Sequence, residues 1–134
     1  LEMDAVAYVR LVTRRERARV AWRDFFRVWD VVLAPMTLDV AFPHQEGAFE
    51  ERRLIVDNQS VPYGAILLYA MPAIFAGLPS TAFPGGVNEA GLPLGLQAIG
   101  PYLEDRTTLQ FAQLVEEAWY RFEPPPDYGA SSSG

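Results

Sequence analysis

All eleven prolines and all ten glycines of this 134-residue chain lie beyond residue 34. A stretch free of helix breakers can carry one long helix, whereas the remainder must be built from short elements joined by turns. The spacing predicts a helix over 3–29, with Leu11, Ala18, Trp22, Phe25, Phe26 and Trp29 on one face at steps of three, four and seven. Arg14, Glu16, Arg17, Arg19, Arg23 and Arg27 cover the rest and read as a solvated face. Arg15 alone falls on the apolar side, to snorkel or to meet an acidic partner outside the chain.

Beyond the helix, Val31-Val-Leu-Ala34 is a continuous apolar run stopped by Pro35, the pattern of a strand over 31–34 buried on both faces. Residues 36–62, with the single histidine His44, then read as a long irregular loop. Residues 58–88 carry no charged side chain, but four prolines interrupt them and their most apolar part is too short to span a bilayer. A buried helix over 64–76, capped by Gly77 and stopped before Pro79, is the better reading. A strand pair within 80–99 follows, joined by the turn residues Asn88-Glu-Ala-Gly91. Asp105 is the expected N-cap of a last helix over 105–121, with Thr108, Phe111, Ala112, Val115, Ala118, Trp119 and Phe122 as its buried stripe. Residues 128–134 read as a flexible tail.

The residue inventory excludes much chemistry. All eleven basic residues are arginine, so this chain supplies no lysine for a Schiff base, a P-loop or a serine–lysine pair. With no cysteine there is no disulfide, thiolate catalysis or zinc–thiolate site, and one histidine leaves only scattered carboxylates; no metal or cofactor is expected. A net charge of −6 argues against general affinity for nucleic acid. A cytoplasmic location fits the absence of cysteine and of a visible signal peptide. A triad within the chain would have to combine Ser60, Ser80 or Thr81 with His44, and no Gly-x-Ser-x-Gly elbow is present. Leu1 in first position leaves open a processed start and a piece of a longer chain.

The order of motifs is informative. Asp30-Val-Val-Leu-Ala-Pro35, Gly77-Leu-Pro79, Pro84-Gly-Gly86 and Gly91-Leu-Pro-Leu-Gly95-Leu-Gln97-Ala-Ile-Gly100-Pro101 together resemble the C-terminal third of the amidase signature enzymes. Asp105-Arg-Thr107 resembles the start of that family's closing helix, and Ala41-Phe-Pro-His44 with Val61-Pro-Tyr63 resembles a bacterial subgroup. The resemblance covers about residues 20–126. It implies an α/β fold, with a partial mixed β-sheet flanked by helices. It also implies carboxamide hydrolysis by a serine nucleophile, a cis-bridging serine and a lysine base. Those three residues belong to the family's N-terminal two-thirds, so no catalytic residue is assigned here.

What the resemblance carries over is structural or pocket-lining. Gly91, Gly95 and Gly100 are expected to let two strands and the following loop pack closely, with Gln97 hydrogen-bonding inside the sheet. Met36, Thr37, Phe42 and His44 are the candidate pocket wall; Met36 and Ser80 depart from the residues usual in the family. The resulting expectation is a C-terminal amidase portion, inactive by itself, whose partner is the missing N-terminal part in cis or as a separate chain. An exposed apolar patch or unpaired sheet edge should mark the docking face, with a homodimer as substitute cover. The substrate of the full enzyme would be a small amide. The alternatives are a non-catalytic, truncated binding or assembly module, and a self-contained hydrolase using Ser80 and His44.

Overall fold

The computed structural model describes residues 3–125. The expected tail over 128–134 lies outside the described residues. Helix α1 (Ala5–Phe25) begins where the Asp4 carboxylate accepts the Ala7 N–H at 2.6 Å, a side-chain cap satisfying one of the free first-turn donors. It stops four residues short of the expected end, in a turn after Phe25. None of its residues is buried. Trp22 and Phe26 pack against a small core of Ala73, Ala76, Leu78 and Ile99, whereas Leu11 and Trp29 stay exposed. The apolar stripe is therefore real in sequence but only its C-terminal part finds cover here.

Strand β1 (Val32–Pro35) pairs antiparallel with β5 (Pro93–Ile99), which pairs antiparallel with β4 (Ser80–Val87), giving the order β1-β5-β4. In register, Val32 opposes Ile99 and Ser80 opposes Ile99 from the other side. The sheet therefore turns Val32, Ile99 and Gln97 toward α1 and the short helix α2 (Met71–Ala76), and Leu33, Ala98, Thr81 and Phe83 toward the other face. Helix α3 (Asp105–Ala118) covers β4 on that face: the Thr81 hydroxyl donates to Thr108 Oγ1 at 2.8 Å, and Phe83 meets Phe111. Its packing is mainly on β4, with less on β5. Leu33 is 56% exposed, so the expectation of a strand buried on both faces is corrected.

Three other expectations change. The stretch 36–62 holds a hairpin, β2 (Arg53–Val56) with β3 (Gln59–Pro62), turned by Asp57 and Asn58 at φ 49° and 62°. Two consecutive positive φ values are the type I′ turn that matches strand twist, and Asp and Asn tolerate them. The helix expected over 64–76 is broken into a 3₁₀ turn (Tyr63–Leu67) and α2, because Pro72 lacks an N–H and cannot sit in a helix interior. It is buried on one side only: Ala73 and Ala76 lie in the core, whereas Leu68, Met71 and Ile74 are exposed. In α3, Glu104 rather than Asp105 takes the N-cap position, the helix ends at Ala118, and Trp119 and Phe122 are exposed.

Gly77 ends α2 at φ 67°, with the Leu78 N–H returning to the Ala73 carbonyl at 2.9 Å. Arg19 closes the same helix end. Its Nε donates to the Ala76 carbonyl at 2.8 Å and its guanidinium lies 4.3 Å from the Tyr102 ring centre. Arg19 thus belongs to the packing of α1 on α2, not to the solvated face. Arg15 is exposed and meets Glu16 at 3.3 Å, which corrects its expected place on a packed side.

The three motif glycines separate physically. A Cβ at Gly100 would stand 2.5 Å from Thr108 Cγ2, and one at Gly95 would stand 2.9 Å from Met36 Cγ. Gly91 has open space around it, and its φ of 75° is what excludes most side chains, so it serves the turn and not close strand packing. Gly91→Ala should therefore cost about 1 kcal/mol, largely recovered by Gly91→Asn. Gly100→Ala should cost about 1–3 kcal/mol by overpacking, with no recovery from Asn. Urea unfolding of the Ala and Asn variants at both positions checks the contrast.

Candidate functional site

The loop leaving β1 stays attached to β5 because the Met36 N–H donates to the Gly95 carbonyl at 3.0 Å. Beyond it the Thr37 hydroxyl donates to the Asp39 carbonyl, and Asp39 Oδ1 accepts the Val40 N–H at 2.8 Å. These local bonds curl residues 37–40 over the end of the sheet. A groove of about 470 Å³ opens there, lined by Thr37, Asp39 and Phe42 from the loop, Leu94 and Leu96 from β5, and Tyr69 from the turn before α2. Phe42 is held edge-on against Tyr63, ring centres 5.7 Å apart. Gln45 pins the loop's far end to β2, donating to the Arg53 carbonyl at 2.6 Å and accepting its N–H at 3.0 Å.

One buried side chain holds the two sides of this groove together. Gln97 is 2% exposed, and its Nε2 donates to the Pro35 carbonyl at 2.8 Å and to the Tyr69 carbonyl at 3.1 Å. Its Oε1 accepts the Ser80 hydroxyl at 2.8 Å. A single amide thereby ties β1, β4 and the turn before α2 to β5. Pro35 and Tyr69 both line the groove.

The four candidate wall residues do not act as a set. Thr37 and Phe42 line the groove, Met36 packs over Gly95, and His44 is exposed outside the lining. Asp39 and Tyr69 were not anticipated as lining residues. Tyr69 gives no local signal at all, since it reaches the groove only through the fold. Two larger hollows, of about 650 and 700 Å³, lie beside α1 and beside residues 120–125. The first is bounded by Arg19, whose guanidinium is already engaged with Ala76 and Tyr102.

No nucleophile–base pair emerges among the described residues. The Ser80 hydroxyl is committed to Gln97, and no hydrogen bond joins it to His44. Among the described residues no group of three or more His, Cys, Asp or Glu could hold a metal, and no helix is long and apolar enough to cross a membrane.

The unit is a small α/β sheet flanked by helices, with the Gly91–Pro101 motif closed around a buried glutamine. The Amidase family profile matches residues 2–109, and the chain belongs to that family, among the amidase signature proteins. A glutamyl-tRNA(Gln) amidotransferase subunit of Brucella suis biovar 1 (strain 1330) is 39% identical over 95 residues, covering 71% of this chain and 18% of that protein. The subunit of the same name from Methylocella silvestris is 32% identical over 113 residues, covering 81% and 21%. A solved amidase superimposes with a TM-score of 0.65 at 25% identity, covering 86% of this chain and 25% of its own. The corresponding amidotransferase subunit from Thermotoga maritima shares the fold at a TM-score of 0.62 and 23% identity, covering 84% and 23%. The chain thus spans about a fifth of the length of the curated relatives it matches.

Replacing Gln97 with the near-isosteric Met should remove all three bonds at once. Gln97→Met is expected to cost about 2–4 kcal/mol, because buried polar partners are left without hydrogen bonds. Ser80→Ala, which leaves both amide N–H bonds intact, should cost about 1 kcal/mol. Equal losses in denaturant titrations would show that the glutamine is not the central tie.

Proposed function

We propose that this chain supplies the C-terminal share of an amidase signature hydrolase: three strands of its sheet, part of its helical cover and one wall of the acyl pocket. On this reading a serine, a cis-bridging serine and a lysine from the rest of the enzyme add water across a carboxamide C–N bond. The products are a carboxylic acid and ammonia or an amine. The chain's own contribution is positional, with Thr37 and Phe42 at the pocket wall and Gln97 holding that wall to the sheet. A cytoplasmic setting and a small-molecule amide substrate belong to the same proposal.

Uncovered apolar surface carries this reading. A compact 15.0 kDa protein exposes about 7,000 Å², whereas this chain exposes 10547 Å². The excess is organised. Leu33 and Leu94 stand open on the sheet, and Leu68, Met71 and Ile74 on the turn and short helix beside it. Large exposed apolar side chains on both faces of the sheet mark surfaces of the kind found at interfaces, and β1 keeps an unpaired edge onto which a further strand can add. Relatives about four times as long supply a natural source of that cover.

The coding sequence upstream of Leu1 is the direct test, and should encode a strand-borne lysine and a Gly/Ser-rich segment in one reading frame. The 134-residue chain alone should not hydrolyse benzamide or glutamine in an ammonia-release assay. Turnover by the chain alone, abolished by Ser80→Ala, would establish a self-contained hydrolase instead. Leu33→Glu and Ile74→Glu change exposed residues, so each should alter this chain's stability by less than about 0.5 kcal/mol. The same substitutions should strongly impair folding of the complete protein, measured as soluble yield.

A further inference from the structure

We infer that the groove between the loop after β1 and strand β5 receives the acyl side of an uncharged, hydrophobic carboxamide and discriminates against an acyl group carrying a carboxylate. This rests on the reading above, that the chain forms one wall of an amidase pocket. The groove's volume of about 470 Å³ falls in the range of small-molecule sites. Phe42, Tyr69, Leu94 and Leu96 make its lining largely apolar. Among the described residues Asp39 is the only carboxylate in the lining, and no arginine or histidine belongs to it.

The nearby cations are occupied elsewhere. Arg52 donates through Nε and Nη2 to the Gly47 carbonyl and sits over the Tyr63 ring at 5.7 Å, while Arg53 donates to the carbonyls of Glu50 and Arg52. The Thr37 hydroxyl is spent on the Asp39 carbonyl. A substrate carboxylate entering here would lose water, gain no counter-ion and face the Asp39 carboxylate. A phenyl or branched alkyl group would exchange water for Phe42, Tyr69 and the two leucines. Specificity would come from exclusion as much as from attraction.

The test uses the complete protein containing this chain and two amides of matched shape, benzamide and 4-carbamoylbenzoate, which differ by one carboxylate. Expected is a kcat/KM at least tenfold higher for benzamide, carried mainly by KM. Asp39→Asn should narrow the gap severalfold by lowering KM for 4-carbamoylbenzoate, and Asp39→Glu should preserve it. Phe42→Ala should raise KM for benzamide severalfold. Asp39 is exposed and Asn can still accept the Val40 N–H, so folding is not at stake in that variant. Equal or better turnover of 4-carbamoylbenzoate or of glutamine overturns the inference while leaving the amidase reading intact. So does a KM indifferent to both Asp39→Asn and Phe42→Ala, the result expected if the rest of the protein fills the groove. Hydrolysis of no amide at all removes the amidase reading itself, and the inference with it.

Discussion

The amide of Gln97 is the tie on which this structure depends. Buried polar groups are tolerated only when their hydrogen bonds are made, and this one makes three, to Pro35, Tyr69 and Ser80. Those partners come from β1, from the turn before α2 and from β4, so each is placed relative to β5 by the same planar group. Gly95 and Gly100 flank it for a related reason. One lets Met36 lie on the strand and the other lets Thr108 approach it, and neither contact leaves room for a Cβ. The Gly91–Pro101 motif is therefore a device for bringing three segments close to one central strand.

That tight centre contrasts with what surrounds it. Among the described residues the buried hydrophobic ones are Leu54, Ala73, Ala76, Leu78, Phe83, Ala98 and Ile99, and three of these are alanines. A core so small yields limited hydrophobic stabilisation, while large side chains such as Leu33, Ile74 and Trp119 remain in contact with water. Polar bonding and close packing here fix geometry, while much apolar area stays exposed. The same division explains the groove, which has a well-held wall and an open side.

Legibility followed the range of the forces involved. The start of α1, the Gly77 cap and the turn at Asn88–Gly91 follow from local steric and capping rules, and each is written in a few adjacent residues. The hairpin at 53–62 had a local signal as well, Asp57-Asn58 after the apolar run Leu54–Val56, but the polar and charged residues around it read as loop. Pro72 was visible, yet the apolar run on both sides of it suggested a continuous helix. Of the residues lining the groove, Thr37 and Phe42 are among the candidates the motif resemblance offered, while Tyr69 and Asp39 enter it only because Gln97 and the curl of residues 37–40 bring them there.

By itself the sequence determined the family and the absence of lysine and thiol groups from these residues, because motif order and residue types are properties of spacing and composition. Tertiary structure alone decided which apolar residues are covered, since periodicity marks a face as apolar without saying what will lie against it. It also decided that Arg19 is a packing residue and Gly91 a turn residue, and that Ser80 is a tether for Gln97. Those roles depend on contacts between segments far apart in the chain, and no local rule encodes them.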